Sequence, residues 1–226
     1  MKAQWRRLAG VPRFMPLVGV AVGALAGGVY WIGVQIWPTS IAVVLSMIAT
    51  ALVFAEAGLD TGARAANLRM AGFVFAVLVK YNALMALSAA NLPYRLPANL
   101  ALGLIMIAGQ ACSRALVVSV LATATRPAST AAAHGDPVAH GDPAAHGDPA
   151  SYVDLAIALV VGFAPAALIG LPGLFGLVAA IVARIVFIAY IRRNRPAVTA
   201  AELDMTQQLT EVCFYLGALA TWAYIT

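Results

Sequence analysis

Apolar residues fill seven long blocks of this chain, at about 16–37, 39–59, 70–90, 98–122, 152–170, 172–191 and 207–226, broken by short joints bearing charge, proline or glycine. A helix that crosses a bilayer needs roughly 20 apolar residues. The pattern therefore predicts an all-α fold, a polytopic transmembrane helical bundle of about seven spans. Only the AP and GLPG punctuation around Pro165 and Pro172 separates the fifth block from the sixth. That pair reads as either a tight helical hairpin or a broken, re-entrant element. The first block follows a basic stretch but continues to Trp37 without a small-x-small cleavage site, so it predicts a retained helix and not a signal peptide.

Lysine and arginine orient the blocks. Lys2, Arg6, Arg7 and Arg13 precede the first, Arg64 and Arg69 follow the second, Arg126 follows the fourth, and Arg192, Arg193 and Arg195 follow the sixth. In a seven-span arrangement all of these fall on one side, while the opposite joints carry only Arg95. The excess of positive charge in cytoplasmic loops then predicts a cytoplasmic N-terminus and an outer C-terminus.

Composition agrees with the blocks. The chain of 226 residues is 62% hydrophobic and only 10% charged, where soluble domains draw about 25% from charged residues. A cytosolic enzyme, a secreted disulfide scaffold and a disordered tail protein are excluded. The net charge of +5 lies at helix ends and not along a stripe, which excludes nucleic acid as a partner and leaves membrane lipid. Cys112 and Cys213 sit in apolar blocks, where a thiol behaves as a small hydrophobe.

The chain reads as one integral-membrane domain, 1–226, interrupted by a linker at 124–151 in which HGDPVA, HGDPAA and HGDPAS repeat. Such a segment buries too little apolar surface to offset the entropy of ordering it and predicts a flexible cytoplasmic spacer. His134, His140 and His146, each two residues before an aspartate, are a candidate transition-metal set. Gly19, Gly23 and Gly27 recur every fourth residue in the first block, a face that lets another helix backbone come close.

Ionisable residues within the blocks are the candidates for chemistry, because each is costly at membrane depth. They are Glu56 and Asp60 at the end of the second, Lys80 in the third, Arg114 in the fourth, Arg184 in the sixth and Glu211 in the seventh. Glu56 and Asp60 are i,i+4 neighbours and could share a magnesium ion. Alternatively, Asp60 is solvated and Glu56 pairs with Lys80 or Arg114. The chain has no GxxxxGK[ST], HExxH or GxSxG motif. A membrane phosphotransferase fits what remains, since phosphoryl transfer is largely positioning and charge stabilisation by acidic and basic groups.

These residues carry a resemblance. RFMPLVGVAVGA, with Arg13, Pro16, Leu17 and Gly19, looks like the R-x-x-P-L-x-G opening of the first helix in the cobalamin synthases, the adenosylcobinamide-GDP ribazoletransferases. FAEAGLD resembles their acidic F-H-x-D-G-L-A-D segment through Glu56, Gly58, Leu59 and, after a one-residue gap, Asp60. Gly72 to Lys80 resembles the helix that follows, QACSRALVVSVLAT their S-R helix through Ser113 and Arg114, and QQLTEVCFYLGALATW their last helix through Glu211. Ala57 stands at the first aspartate of the acidic segment, and the stretch between that segment and Gly72 is shorter than the family's.

The resemblance implies cobalamin biosynthesis: adenosylcobinamide-GDP and alpha-ribazole, or its phosphate, are joined with release of GMP. It implies Mg²⁺ as cofactor, corrinoid and alpha-ribazole as small-molecule partners, and Glu56, Asp60 and Glu211 as catalytic residues. Glu56 and Asp60 would hold the metal, with Glu202 and Asp204 as further ligands, and Arg114, Lys80, Arg13 and Ser113 would bind substrate phosphate. The alternative is a catalytically inactive paralogue that serves as a membrane partner or corrinoid-binding component. Both a monomer and a homo-oligomer are open.

Overall fold

A computed structural model describes residues 14–54, 63–89, 98–124, 152–194 and 200–225. They form seven helices: α1 (Met15–Ile36), α2 (Thr39–Phe54), α3 (Ala63–Ala89), α4 (Ala98–Ala124), α5 (Tyr152–Leu168), α6 (Leu171–Asn194) and α7 (Ala200–Ile225), and no strand occurs among the described residues. Four contain stretches long and apolar enough to cross a membrane, Met15–Ile36, Gly72–Ala89, Leu100–Ala122 and Leu171–Arg193; Thr39–Val53 and Val153–Leu168 are shorter apolar helices. This is a membrane protein of helical class. Large apolar side chains such as Ile36, Phe75, Val160 and Val186 lie exposed on its outer faces, where lipid, unlike water, exacts no cost.

Two boundaries differ from those the apolar blocks predict. α3 begins at Ala63 and α7 at Ala200, each seven residues before its block. ARAANLRM and AAELDMT are rich in alanine and other good helix formers, so helix continues where hydrophobicity has ended. Arg64 and Arg69 therefore belong to α3 and not to a loop. The HGDP repeat, with its three histidines, lies outside the described residues, as do Arg13, Glu56 and Asp60.

Proline and glycine make the sharp joints. Trp37 is extended (φ −123°, ψ 159°), the conformation forced on a residue before proline, and the Pro38 carbonyl then accepts from the Ile41 and Ala42 amides to open α2. Between α5 and α6 the chain turns at Gly170, the one described residue with positive φ, 74°. The Ile169 and Gly170 amides donate to the carbonyls of Ala166 and Ala167, and the Leu174 amide donates to that of Gly170. Residues 152–194 are thus two helices joined by a tight turn at Gly170.

α4 is the hub. In its membrane-length window 78% of residues are buried, against 22% for those of α3 and α6. The glycine face of α1 packs on it: a Cβ added at Gly19 would meet the Gln110 carbonyl, at Gly23 the Ile107 Cα at 2.5 Å, and at Gly27 the Gly103 Cα at 3.1 Å. As α1 ascends α4 descends, so the two are antiparallel. α7 also opposes α4, with Glu211 beside Gln110 and Tyr215 beside Gly109. Tyr30, Leu84, Leu102, Met106, Phe214 and Tyr215 fill the shared core.

Candidate functional site

The centre of the bundle is polar. Glu211, fully buried on α7, lies near the middle of a helix that begins at Ala200. It therefore sits deep between the helices. Three donors converge on its Oε1: the Lys80 ammonium at 2.5 Å, the Gln110 amide Nε2 at 2.8 Å and the Tyr215 hydroxyl at 3.0 Å. The second oxygen, Oε2, is buried without a hydrogen-bond partner. Lys80 also stands 5.8 Å from the centre of the Tyr215 ring, within the range of cation–π attraction.

Each side chain is there for a local reason. Lys80 belongs to the half of α3 that turns Ala83, Leu84 and Leu87 inward, whereas Phe73, Val74 and Phe75 face out. Gln110 and Arg114 are one turn apart on α4, and Glu211 and Tyr215 one turn apart on α7, so each helix presents two polar groups on one face. Serine and threonine hydroxyls are satisfied within their own helices: Ser46 donates to the Val43 carbonyl, Thr50 to Met47, Ser113 to Gln110 and Thr210 to Thr206. A hydroxyl bonded in this way does not leave an orphan donor in the core.

Arg114 extends the cluster toward the N-terminal end of α7. It is buried, its side chain lies against Gly19 of α1, and the charges of Glu211 and Asp204 both act on it. Glu202 is nearly buried in the first turn of α7, while Asp204 is on the exposed side. Arg184 of α6 donates to the Ser119 carbonyl at 3.1 Å, in the last turns of α4.

No family model, curated protein or solved structure matches this chain. The site is therefore read from its own geometry.

Of the predicted site residues, Lys80, Arg114 and Glu211 come together. Ser113 is one residue from Arg114 but fully buried, with its hydroxyl turned to its own helix. Lys80, a possible partner for Glu56 on sequence grounds, is instead held by Glu211 in the described structure. Gln110 and Tyr215 escaped the sequence reading because neither is charged. The available signal was their spacing, each one turn from an ionisable residue in an apolar helix.

Magnesium is a hard cation held by carboxylates and other oxygens. Among the described residues no group of three or more histidines, cysteines or carboxylates is placed to hold a metal. Glu211 already faces an ammonium. Glu56 and Asp60, expected to lead its coordination, lie outside the described residues.

Proposed function

We propose that this chain is a shortened, divergent membrane phosphotransferase of the cobalamin synthase type. It would cross the bacterial inner membrane seven times from a cytoplasmic N-terminus and act on adenosylcobinamide-GDP. In that reaction a ribose hydroxyl oxygen of alpha-ribazole, or of its phosphate, bonds to the phosphorus that carries cobinamide. The bond from that phosphorus to GMP breaks, and the hydroxyl proton is released. The observation that carries the reading is the convergence of Lys80, Arg114 and Glu211, from three helices, on one place in the bundle. These are residues the family resemblance singles out.

In this reading the parts have different tasks. Arg114 supplies a planar, permanently charged group suited to an anionic phosphate. Glu211 balances Lys80 and acts on Arg114 through its charge, holding the basic groups of α3 and α4 at membrane depth.

A second reading, the catalytically inactive paralogue, is favoured by a specific feature. Lys80 and Glu211 neutralise each other, and the cavity beside them is about 10 Å³, far below the roughly 300–1,000 Å³ of small-molecule pockets.

Complementation separates the two readings. A bacterial strain lacking its own cobalamin synthase, grown where B12 must be made from cobinamide, is expected to grow with this chain. Failure to grow, with the protein present in the membrane, selects the inactive paralogue. In a complementing chain Arg114→Ala is expected to weaken binding of the GDP-activated substrate by about tenfold or more, the equivalent of a charge-assisted hydrogen bond. An unchanged affinity would confine Arg114 to helix packing.

A further inference from the structure

The cavity beside the ion pair has a lining of unusual chemistry. It is about 10 Å³ in volume, partly open, and lined by four apolar side chains together with Ser46, Thr50, Lys80, Gln110 and Tyr215. The polar groups come from four helices, α2, α3, α4 and α7. Their donors and acceptors can be counted.

Lys80 carries three N–H donors, and Glu211 is the carboxylate that pairs with it. Gln110 has spent its amide nitrogen on Glu211, and its Oε1 is buried with no hydrogen-bond partner. Ser46 and Thr50 have spent their protons on the carbonyls of Val43 and Met47. Their oxygens keep lone pairs that can accept. The lining thus offers a cation with protons to give, the second N–H of the Gln110 amide and four neutral acceptors, the Tyr215 oxygen among them, in a space about the size of one solvent probe.

That inventory selects its ligand. A metal cation is repelled by the ammonium, and an anion meets mostly acceptors around the rest of the lining. An apolar guest leaves Gln110 Oε1 and the ammonium protons desolvated, at about 1–3 kcal/mol for a buried group. A water molecule accepts and donates, and needs two to four polar partners.

We infer that this cavity is a binding site for one water molecule, which accepts from Lys80 Nζ and donates to Gln110 Oε1 and to a hydroxyl oxygen of α2, Thr50 or Ser46. The water ties α2 to the charged centre. Among the described residues α2 packs mainly on α1 and α3, and the bridge gives it a polar link to α4 and α7. The site is independent of the catalytic reading and stands in an active or an inactive chain.

The test compares two conservative variants of the full chain in detergent. Thr50→Val removes the proposed water partner; Thr221→Val removes a threonine whose hydroxyl makes the same kind of bond, to the Ala218 carbonyl at 2.6 Å, away from the cavity. Thr50→Val is expected to lower Tm by about 2–4 °C more than Thr221→Val, the shift that corresponds to one hydrogen bond in a chain of this size. Equal shifts, or a rise with Thr50→Val, would overturn the Thr50 bridge, and Ser46→Ala applied in the same way tests the other hydroxyl. An experimental density map at a resolution that shows ordered water decides the site directly. A peak within hydrogen-bond distance of both Lys80 Nζ and Gln110 Oε1 is expected, and a map with those side chains ordered and no peak between them would refute the water.

Discussion

Lys80→Met is expected to cost about 3–5 kcal/mol of stability in detergent, and adding Glu211→Gln to the same chain is expected to restore most of it. The single change removes the ammonium in contact with the Glu211 carboxylate at the centre of the bundle and leaves only the charge of Arg114 acting on it. Gln110 and Tyr215 still donate to Oε1, but two neutral donors do not make up for the lost ammonium beside a buried carboxylate. In the double variant the charge is gone, methionine fills the path of the lysine stem, and the new amide oxygen accepts from the same two donors. Thermal unfolding of wild type, both single variants and the double variant forms a cycle whose coupling energy measures the pair. Coupling below about 0.5 kcal/mol would mean that the two groups do not interact across the α3–α7 contact.

The second large effect is steric. Gly23→Ala places a Cβ 2.5 Å from the Ile107 Cα, and the obstacle is backbone, which cannot rotate aside as a side chain can. α1 and α4 must separate, and because α4 is the hub, contacts well beyond residue 23 loosen. A loss of about 1–3 kcal/mol or more is expected, the range for overpacking a well-filled core. Gly28→Ala is the control, since a Cβ there meets nothing within 4 Å. It is expected to be neutral or to stabilise by up to about 1 kcal/mol through helix propensity. Equal behaviour of the two variants in a thermal melt would show that the small-residue face is not where α1 approaches α4.

Much of this architecture was legible in the sequence because its causes are local. A run of apolar residues long enough to cross a bilayer declares a helix wherever it occurs, and Trp37–Pro38 and Gly170 break the chain by their own backbone restrictions. Gly19, Gly23 and Gly27 declared a close-packing face through spacing alone. Charged ends of helices were harder to bound. Hydrophobicity marks what lipid tolerates, whereas helix propensity sets how far hydrogen bonding continues, and α3 and α7 extend beyond their apolar blocks for that reason.

The candidate site was legible only in part. Lys80, Arg114 and Glu211 stand out because ionisable groups are expensive at membrane depth, and any reader of the sequence finds them. Their pairing is another matter. Gln110 and Glu211 bond across 101 positions of chain, and no periodicity relates residues on helices so far apart. Glu56 was an equally reasonable partner for Lys80 on charge alone.

By itself, then, the sequence determined the helices, their sharp turns, the face by which α1 docks and the small set of ionisable residues that needed partners, because each follows from a residue and its near neighbours. The tertiary structure alone decided that α4 is the hub onto which α1 docks, that Glu211 is the acid opposite Lys80, and that two neutral residues, Gln110 and Tyr215, complete its surroundings. The reason is geometric. Which charges meet depends on the rotation and depth of one helix against another, quantities set by the packing of the whole bundle.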